Sequence, residues 1–219
     1  MRCPYACAAV LAMMVVMQST SASAAESPQA ATEEAQRSLA ALQEITTEQT
    51  YKGLGFESPE EVKSATLGSP LQVFTVRLDA LRDYQPQTDP NSLLVDSHQI
   101  IYPVIVGGQQ RSSMTMRELD GKWQVASFGK PTLTKALVQT RQRHIESTKV
   151  PIESVFVVNI PALNLHFIGR RDGSALLLTP LASDPSLKVE EGQSIEAQAV
   201  FNTLAPRARE LKTGPYIAD

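Results

Sequence analysis

Residues 100–128 predict three antiparallel strands in the middle of the chain: an apolar run comes first, and apolar and polar residues then alternate around Met114 and Met116 and around Trp123 and Val125. Asp120-Gly121 interrupts this alternation and readily supplies the two positive φ angles of a type I′ hairpin turn. Gly107-Gly108 ends the preceding apolar run and is compatible with a two-residue or a four-residue loop. The pattern therefore predicts a three-stranded meander with one apolar face, and its third strand carries Trp123.

A second block of strand-like runs begins near residue 151. The run Val155–Val158 is apolar at every position, as expected for a strand with both faces covered. Asp172-Gly173 predicts a hairpin turn further along, in the same manner as Asp120-Gly121. Aligning these two turns suggests an internal repeat with units 99–149 and 151–212; convergence of two meanders on one hairpin pattern is the alternative.

Apolar residues at helical spacing predict amphipathic helices over about 32–49, 132–147 and 194–211. Together with the strands they predict an α+β fold. We expect an antiparallel sheet of about seven strands in two three-strand meanders, with the amphipathic helices packed on one face. One domain over residues 25–219 is the default expectation at this length, and two small halves are the alternative.

A short helix and a strand precede the first meander. Ser58-Pro59 opens the segment SPEEVKSATLG as N-cap and first helical residue, its final glycine ends it, and a strand over 71–78 follows. This helix-LGxP-strand piece is similar to a segment of small exported lipoproteins of the outer-membrane assembly accessory (SmpA/BamE-like) type. Those proteins carry a lipidated cysteine. Here Cys3 and Cys7 precede the apolar leader segment, so no function is carried over.

The first residues have the pattern of a secretory signal peptide. Arg2 is followed by the apolar run Ala8–Met17 and by small residues that permit cleavage near Ala24. That run is too short to span a bilayer, which takes about 20 apolar residues. We therefore expect residues 1–24 to be removed, leaving a periplasmic or secreted protein without a transmembrane span. Both cysteines are in the leader, so the mature chain would form no disulfide.

The charge of the chain excludes one class of partner. The formal net charge is −3 at pH 7, and removal of Arg2 makes it one unit more negative. Nucleic-acid affinity depends on clustered basic residues that neutralise phosphates. We therefore expect no nucleic-acid partner.

Two groups of residues are candidates for binding. The loop 85–98 is the longest predicted loop, and loops of that length are often functional. We expect a ligand site at its end and beside the first meander, formed by Asp96, His98, Tyr102, Trp123 and His166. The helix over 132–147 carries basic residues that could contact an anionic partner or simply form a solvated face: Lys135, Arg141, Arg143 and His144.

Recognisable catalytic and metal motifs are absent from the sequence. The histidines at 98, 144 and 166 lack the spacing of a metal site, and no G-x-S-x-G turn is found. We expect no metal or cofactor and predict an exported binding or interaction module without enzymatic activity. One alternative is a small periplasmic hydrolase near loop 85–98, with a triad such as Ser113, His98 and Asp96. The other is a cell-envelope chaperone-like factor that uses an exposed sheet edge, because Pro103 predicts an edge or bulged strand.

Overall fold

One open sheet of nine strands organises residues 28–187 and 192–211, the residues that the structure, a computed structural model, describes. The predicted signal peptide 1–24 lies outside them. The strands are β1 Thr66–Leu67, β2 Leu71–Val76, β3 Leu94–Val106, β4 Gln109–Leu119, β5 Lys122–Phe128, β6 Val155–Ile160, β7 Leu165–Asp172, β8 Ala175–Pro180 and β9 Ile195–Glu196. The helices are α1 Pro28–Arg37, α2 Leu39–Ile45, α3 Tyr51–Leu54, α4 Leu78–Asp83, α5 Pro131–Thr148 and α6 Ala197–Glu210. None of these helices is long and apolar enough to cross a membrane.

The strand order is β5-β4-β3-β2-β6-β7-β8-β9, and β1 pairs with β3 beside β2. All neighbours are antiparallel except β2 and β6, which pair in parallel. The predicted α+β class and largely antiparallel sheet are confirmed. The sheet has nine strands rather than about seven, because β1 and β9 were not predicted. The three-strand meanders are also corrected: β2, the strand predicted over 71–78, extends the first meander to four strands, and β9 extends the second. Strands of two residues, such as β1 and β9, are too short to leave a periodic pattern.

Helices cover both faces of the sheet, which corrects the expectation of helices on one face. Phe156 and Val158 of β6 pack in one cluster with Phe201 of α6. Val155 and Val157 point the other way and pack with Leu137 of α5. The two sides are named the α6 face and the α5 face below. The run Val155–Val158 is apolar at every position because both faces of β6 are covered by helices.

Helices α1 and α2 lie on the α6 face, at the opposite end of the sheet. Their buried residues form a cluster with Ile100 of β3. Ile100 pairs with Gln72 of β2, and Phe74, two residues further along β2, pairs with Val158 of β6. Direct partners share a face, so all four residues point to the α6 face. This face therefore carries two separate helical layers.

The hairpin turns follow the sequence in two cases and depart from it in one. Asp120 and Gly121 have φ of 52° and 76°, which confirms the type I′ turn. Gly107-Gly108 is the two-residue alternative, because β4 begins directly after it. At the third hairpin Asp172 pairs with Ala175, so Gly173-Ser174 forms the turn. Only Gly173 has positive φ there, as in a type II′ turn, and the expected equivalence with Asp120-Gly121 does not hold.

Pro103 lies in the interior strand β3, not at an edge of the sheet, and the pairing of β3 with β4 shifts register directly after it, between Val104 and Ile105. Of the two predicted alternatives, the edge is wrong and the irregular strand is observed. The Pro103 carbonyl accepts the Gly68 N–H at 2.7 Å, in the short link that separates β1 from β2. Proline has no backbone N–H and cannot donate a hydrogen bond to the adjacent strand. The link between β1 and β2 lies opposite Pro103, where a regular strand would have needed that donor. The carbonyls of Ser69 and Pro70 in the link accept hydrogen bonds from Arg141 Nη1 of α5, each at 3.0 Å.

Candidate functional site

A groove of about 800 Å³ crosses the α6 face between the two helical layers. Its floor and walls come from strands in both halves of the sheet. The residues that matter for its chemistry are Gln72, Phe74, Asp96, His98, Glu118, Trp123, Phe156 and Arg171. The groove thus combines aromatic surface with carboxylates, an imidazole and a guanidinium.

A bulge in β3 positions the polar side of the groove. Val73 pairs with Gln99 and Phe74 with Asp96, so Ser97 and His98 are two extra residues on β3. His98 has φ of 51°, a conformation that costs a non-glycine residue energy. The Asp96 carboxylate accepts the His98 backbone N–H at 2.8 Å and the Gln72 Nε2 amide at 2.9 Å. The bulge therefore breaks the strand alternation and fixes Asp96 and His98 at the groove.

His98 is paired with Glu118 across β3 and β4. The distance between His98 Nδ1 and Glu118 Oε2 is 3.3 Å, and the Glu118 side chain is only 12% exposed. The His98 side chain is 64% exposed, and no described residue contacts its Nε2 through a hydrogen bond. If Nδ1 donates to Glu118, Nε2 is an acceptor that is open to a bound molecule.

Two phenylalanine rings and an arginine form the opposite side. The rings of Phe74 and Phe156 meet edge to face with centroids 5.0 Å apart. Arg171 Cζ lies 5.3 Å from the Phe74 centroid and 4.9 Å from the Phe156 centroid, which are cation–π distances. Arg171 Nε also donates to Asn91 Oδ1 at 3.3 Å. The guanidinium is therefore held over the aromatic pair.

Gly169 of β7 makes room for this arrangement. It is the register partner of Phe156, and a Cβ atom at Gly169 would lie 2.5 Å from Phe156 Cε2 and 2.9 Å from Val158 Cγ2. Both contacts are shorter than real Cβ atoms show. The ring of Phe156 thus lies directly over the backbone of β7, which places it beneath Arg171.

The structure brings together three of the five residues expected to bind a ligand. Asp96, His98 and Trp123 line the groove, and His98 belongs to β3 rather than to the preceding loop. Tyr102 is buried, its hydroxyl lies 3.0 Å from Thr32 Oγ1, and burial raises its pKa. His166 is on the α5 face, since its neighbour at i+2, Ile168, packs there. Burial, aided by Lys130, lowers the pKa of His166.

Five of these groove residues were not anticipated from the sequence: Gln72, Phe74, Glu118, Phe156 and Arg171. Alternation along each strand predicts the face of the sheet to which such a residue points. It does not predict which part of that face the helices leave uncovered. One signal of the site was available in the sequence: Arg171 is a charged residue that follows the apolar part of its strand, and alternation places it on the same face as Phe167 and Gly169. Tertiary contacts were needed for the rest.

The four basic residues of α5 do not form one surface. Lys135 and Arg143 are exposed, whereas Arg141 and His144 are buried and point toward the sheet. His144 Nδ1 lies 3.3 Å from both Thr179 Oγ1 and Ser194 Oγ. Burial lowers the pKa of His144, and the charge of Arg170 lowers it further. The expected basic patch is therefore reduced to its two exposed members.

The structure separates the triad considered from the sequence. Ser113 is buried, and its hydroxyl donates to the carbonyl of Gly129, while its strand partner is Pro103. His98 lies further along the sheet and contacts Asp96 and Glu118 instead. Within residues 28–187 and 192–211 there is also no group of three or more metal-ligating residues.

Comparisons with models of known protein families, with curated proteins and with solved structures find no match to this chain.

Proposed function

We propose that this protein is an exported binding module whose groove on the α6 face holds a small organic ligand. The observation that carries the proposal is the convergence of Asp96, His98 and Trp123 with the Phe74–Phe156 pair in one groove. Binding sites typically combine apolar walls with a few polar groups that fix orientation. A volume of about 800 Å³ is within the range of pockets for small molecules.

The hydrolase alternative has less support. The His98–Glu118 pair resembles a base with its orienting carboxylate, but nucleophilic catalysis also requires an activated hydroxyl within reach of the base. No serine or threonine hydroxyl among the described residues is hydrogen-bonded to the His98 ring. The sheet-edge alternative loses its sequence support, because Pro103 is in an interior strand.

Trp123 provides a direct assay because it is the only tryptophan in the chain and lines the groove. Titration of the purified mature protein with a library of non-fluorescent small molecules should change the emission of Trp123 saturably for a subset of compounds. Native mass spectrometry should detect the same compounds bound with one-to-one stoichiometry. A library in which no compound changes the emission or forms such a complex would contradict the proposed binding function.

A variant with a blocked groove provides the control. Gln72→Trp adds a large side chain at the groove floor and should abolish native-mass-spectrometry complexes with the hits. Lys135→Trp adds the same side chain to an exposed position on the opposite face and should leave those complexes intact. Equal binding by the two variants would place the ligand elsewhere on the molecule.

Export is the second part of the proposal, and it is supported by the leader-like pattern of residues 1–24. Expression of the full chain in a bacterium with two membranes should release the protein by osmotic shock. Intact mass should show a mature chain that begins near Ala25. A full-length protein retained in the cytoplasm would contradict export without affecting the binding proposal.

A further inference from the structure

Arg171 is a cation in the groove without a carboxylate partner among the described residues. Its Nε donates to the Asn91 side-chain oxygen, and its Cζ lies at cation–π distance from both phenylalanine rings. Its terminal amino groups have no hydrogen-bond acceptor in the same residues. A guanidinium is a planar fork of donors that matches a carboxylate, and here the Nε contact and the two rings hold it in the groove. This part of the groove is therefore suited to a bound anion.

The neighbouring part of the groove has the opposite charge. Asp96 is the register partner of Phe74, so its carboxylate lies one strand away from the ring under Arg171, on the same face. Glu118 follows on the next strand and shares its face with its partner Trp123. Among the described residues, no lysine or arginine pairs with Asp96 or Glu118. Asp96 accepts hydrogen bonds from Gln72 and His98, and Glu118 contacts the His98 ring. This part is suited to a bound cation.

We propose that the groove binds an amphipathic zwitterion, namely an amino acid or short peptide with an apolar side chain. Arg171 holds its carboxylate, Asp96 and Glu118 hold its ammonium group, and Trp123 packs against its apolar part. A simple anion would be repelled by the two carboxylates, and a simple cation by Arg171. A zwitterion satisfies both ends of the groove at once. The inference rests on the proposed binding function and specifies its ligand class.

Four probes separate charge from shape because they share a phenyl group: L-phenylalanine, L-phenylalanyl-L-phenylalanine, 3-phenylpropionate and 2-phenylethylamine. Calorimetry on the mature protein should show at least about tenfold tighter binding of one of the two zwitterions than of either singly charged probe. Tighter binding of L-phenylalanine would identify the ligand class as free amino acids, and tighter binding of the dipeptide would identify it as short peptides. Equal affinities for zwitterionic and singly charged probes would overturn the inference.

Variants test which residues bind the carboxylate and which bind the ammonium group of the ligand. Arg171→Gln should remove the advantage of the zwitterion over 2-phenylethylamine, and Glu118→Gln should reduce its advantage over 3-phenylpropionate. Arg171→Lys keeps the charge without the planar fork and should have an intermediate affinity. Arg77→Gln is the matched control, because Arg77 is exposed, pairs with Asp79 and lies outside the groove. Circular dichroism establishes that each variant is folded, and an unchanged preference in folded Arg171→Gln would contradict the assignment.

The result also separates this inference from the proposed function. If all four probes fail while library compounds change Trp123 emission, the zwitterion inference is overturned and the binding function stands. If no compound of either set binds in the groove, both are overturned.

Discussion

At the residue scale, Arg141 shows how a buried charge can be structural. It is only 5% exposed, and its Nη1 donates to the carbonyls of Ser69 and Pro70, which lie between β1 and β2 where the strand ladder is interrupted. Backbone carbonyls that have no strand partner need another hydrogen-bond donor. The guanidinium therefore replaces the strand pairing that this link cannot make.

Arg141→Met keeps the apolar stem but removes both hydrogen bonds. We expect it to lower the free energy of unfolding by about 2 kcal/mol, since hydrogen bonds from a charged donor are among the stronger ones. Lys135→Met on the exposed side of α5 is the control and should change stability by less than about 0.5 kcal/mol. Urea unfolding followed by circular dichroism measures both, and equal stabilities of the two variants would contradict the structural role of Arg141.

His144 gives the molecule a predicted pH dependence. Its pKa is lowered in the folded state by burial and by Arg170, so the unfolded chain takes up the proton more readily. The neutral histidine is fully compatible with the fold above the unfolded pKa of about 6.5. Stability is then lost as pH falls below that value toward the lowered folded pKa. His166, whose pKa is also lowered, acts in the same direction.

The test compares wild type and His144→Asn by urea unfolding at pH 7.5 and pH 5.5. The wild type should lose more stability over this interval than the variant, because the two proteins share every other titrating group. An equal loss in the two proteins would show that His144 does not contribute.

At the scale of elements, local patterns predict structure where the cause is local. The Asp120-Gly121 turn and the doubly buried β6 follow directly from residue types and alternation. The Gly173-Ser174 turn does not, because Asp172 can pair with Ala175 only if the register of β7 and β8 permits it. The bulge at Ser97 and His98 is equally non-local, since it reflects the different registers that β3 keeps with β2 and β4.

The contact between β6 and β7 provides a prediction for the groove. Gly169→Ala would drive Phe156 from its position over the β7 backbone, and overpacking of this kind costs about 1–3 kcal/mol. We expect lower stability together with weaker binding of groove ligands, because Phe156 is part of the wall. Thermal unfolding and fluorescence titration measure the two effects.

Gly53→Ala is the matched control for Gly169→Ala. Apart from its own local backbone, no described atom lies within 4 Å of the position that a Cβ would take at Gly53, which is in α3. This variant should be as stable as the wild type or slightly more so, because alanine is the better helix former. A Gly169→Ala protein with wild-type stability and binding would contradict the close packing of Phe156.

At the scale of the whole molecule, the parallel pair β2–β6 explains why the candidate site is where it is. This pair joins two four-stranded meanders, and each meander is followed by a helix: α5 on one face and α6 on the other. With α5 on the far side, the middle of the α6 face is left between α1 and α6. The groove is thus a consequence of topology, and a sequence pattern that predicts separate elements could not reveal it.

Occupation of this groove is the central claim, and amide chemical-shift mapping tests it most directly. On addition of a ligand from the library, the largest shifts in the ¹⁵N–¹H spectrum of the mature protein should fall on residues 72–74, 96–100, 118–123, 154–156 and 169–171. Residues from most of these segments line the groove, and the segments come from six different strands of the sheet. Shifts confined to other parts of the molecule, such as the exposed side of α5, would contradict the claim.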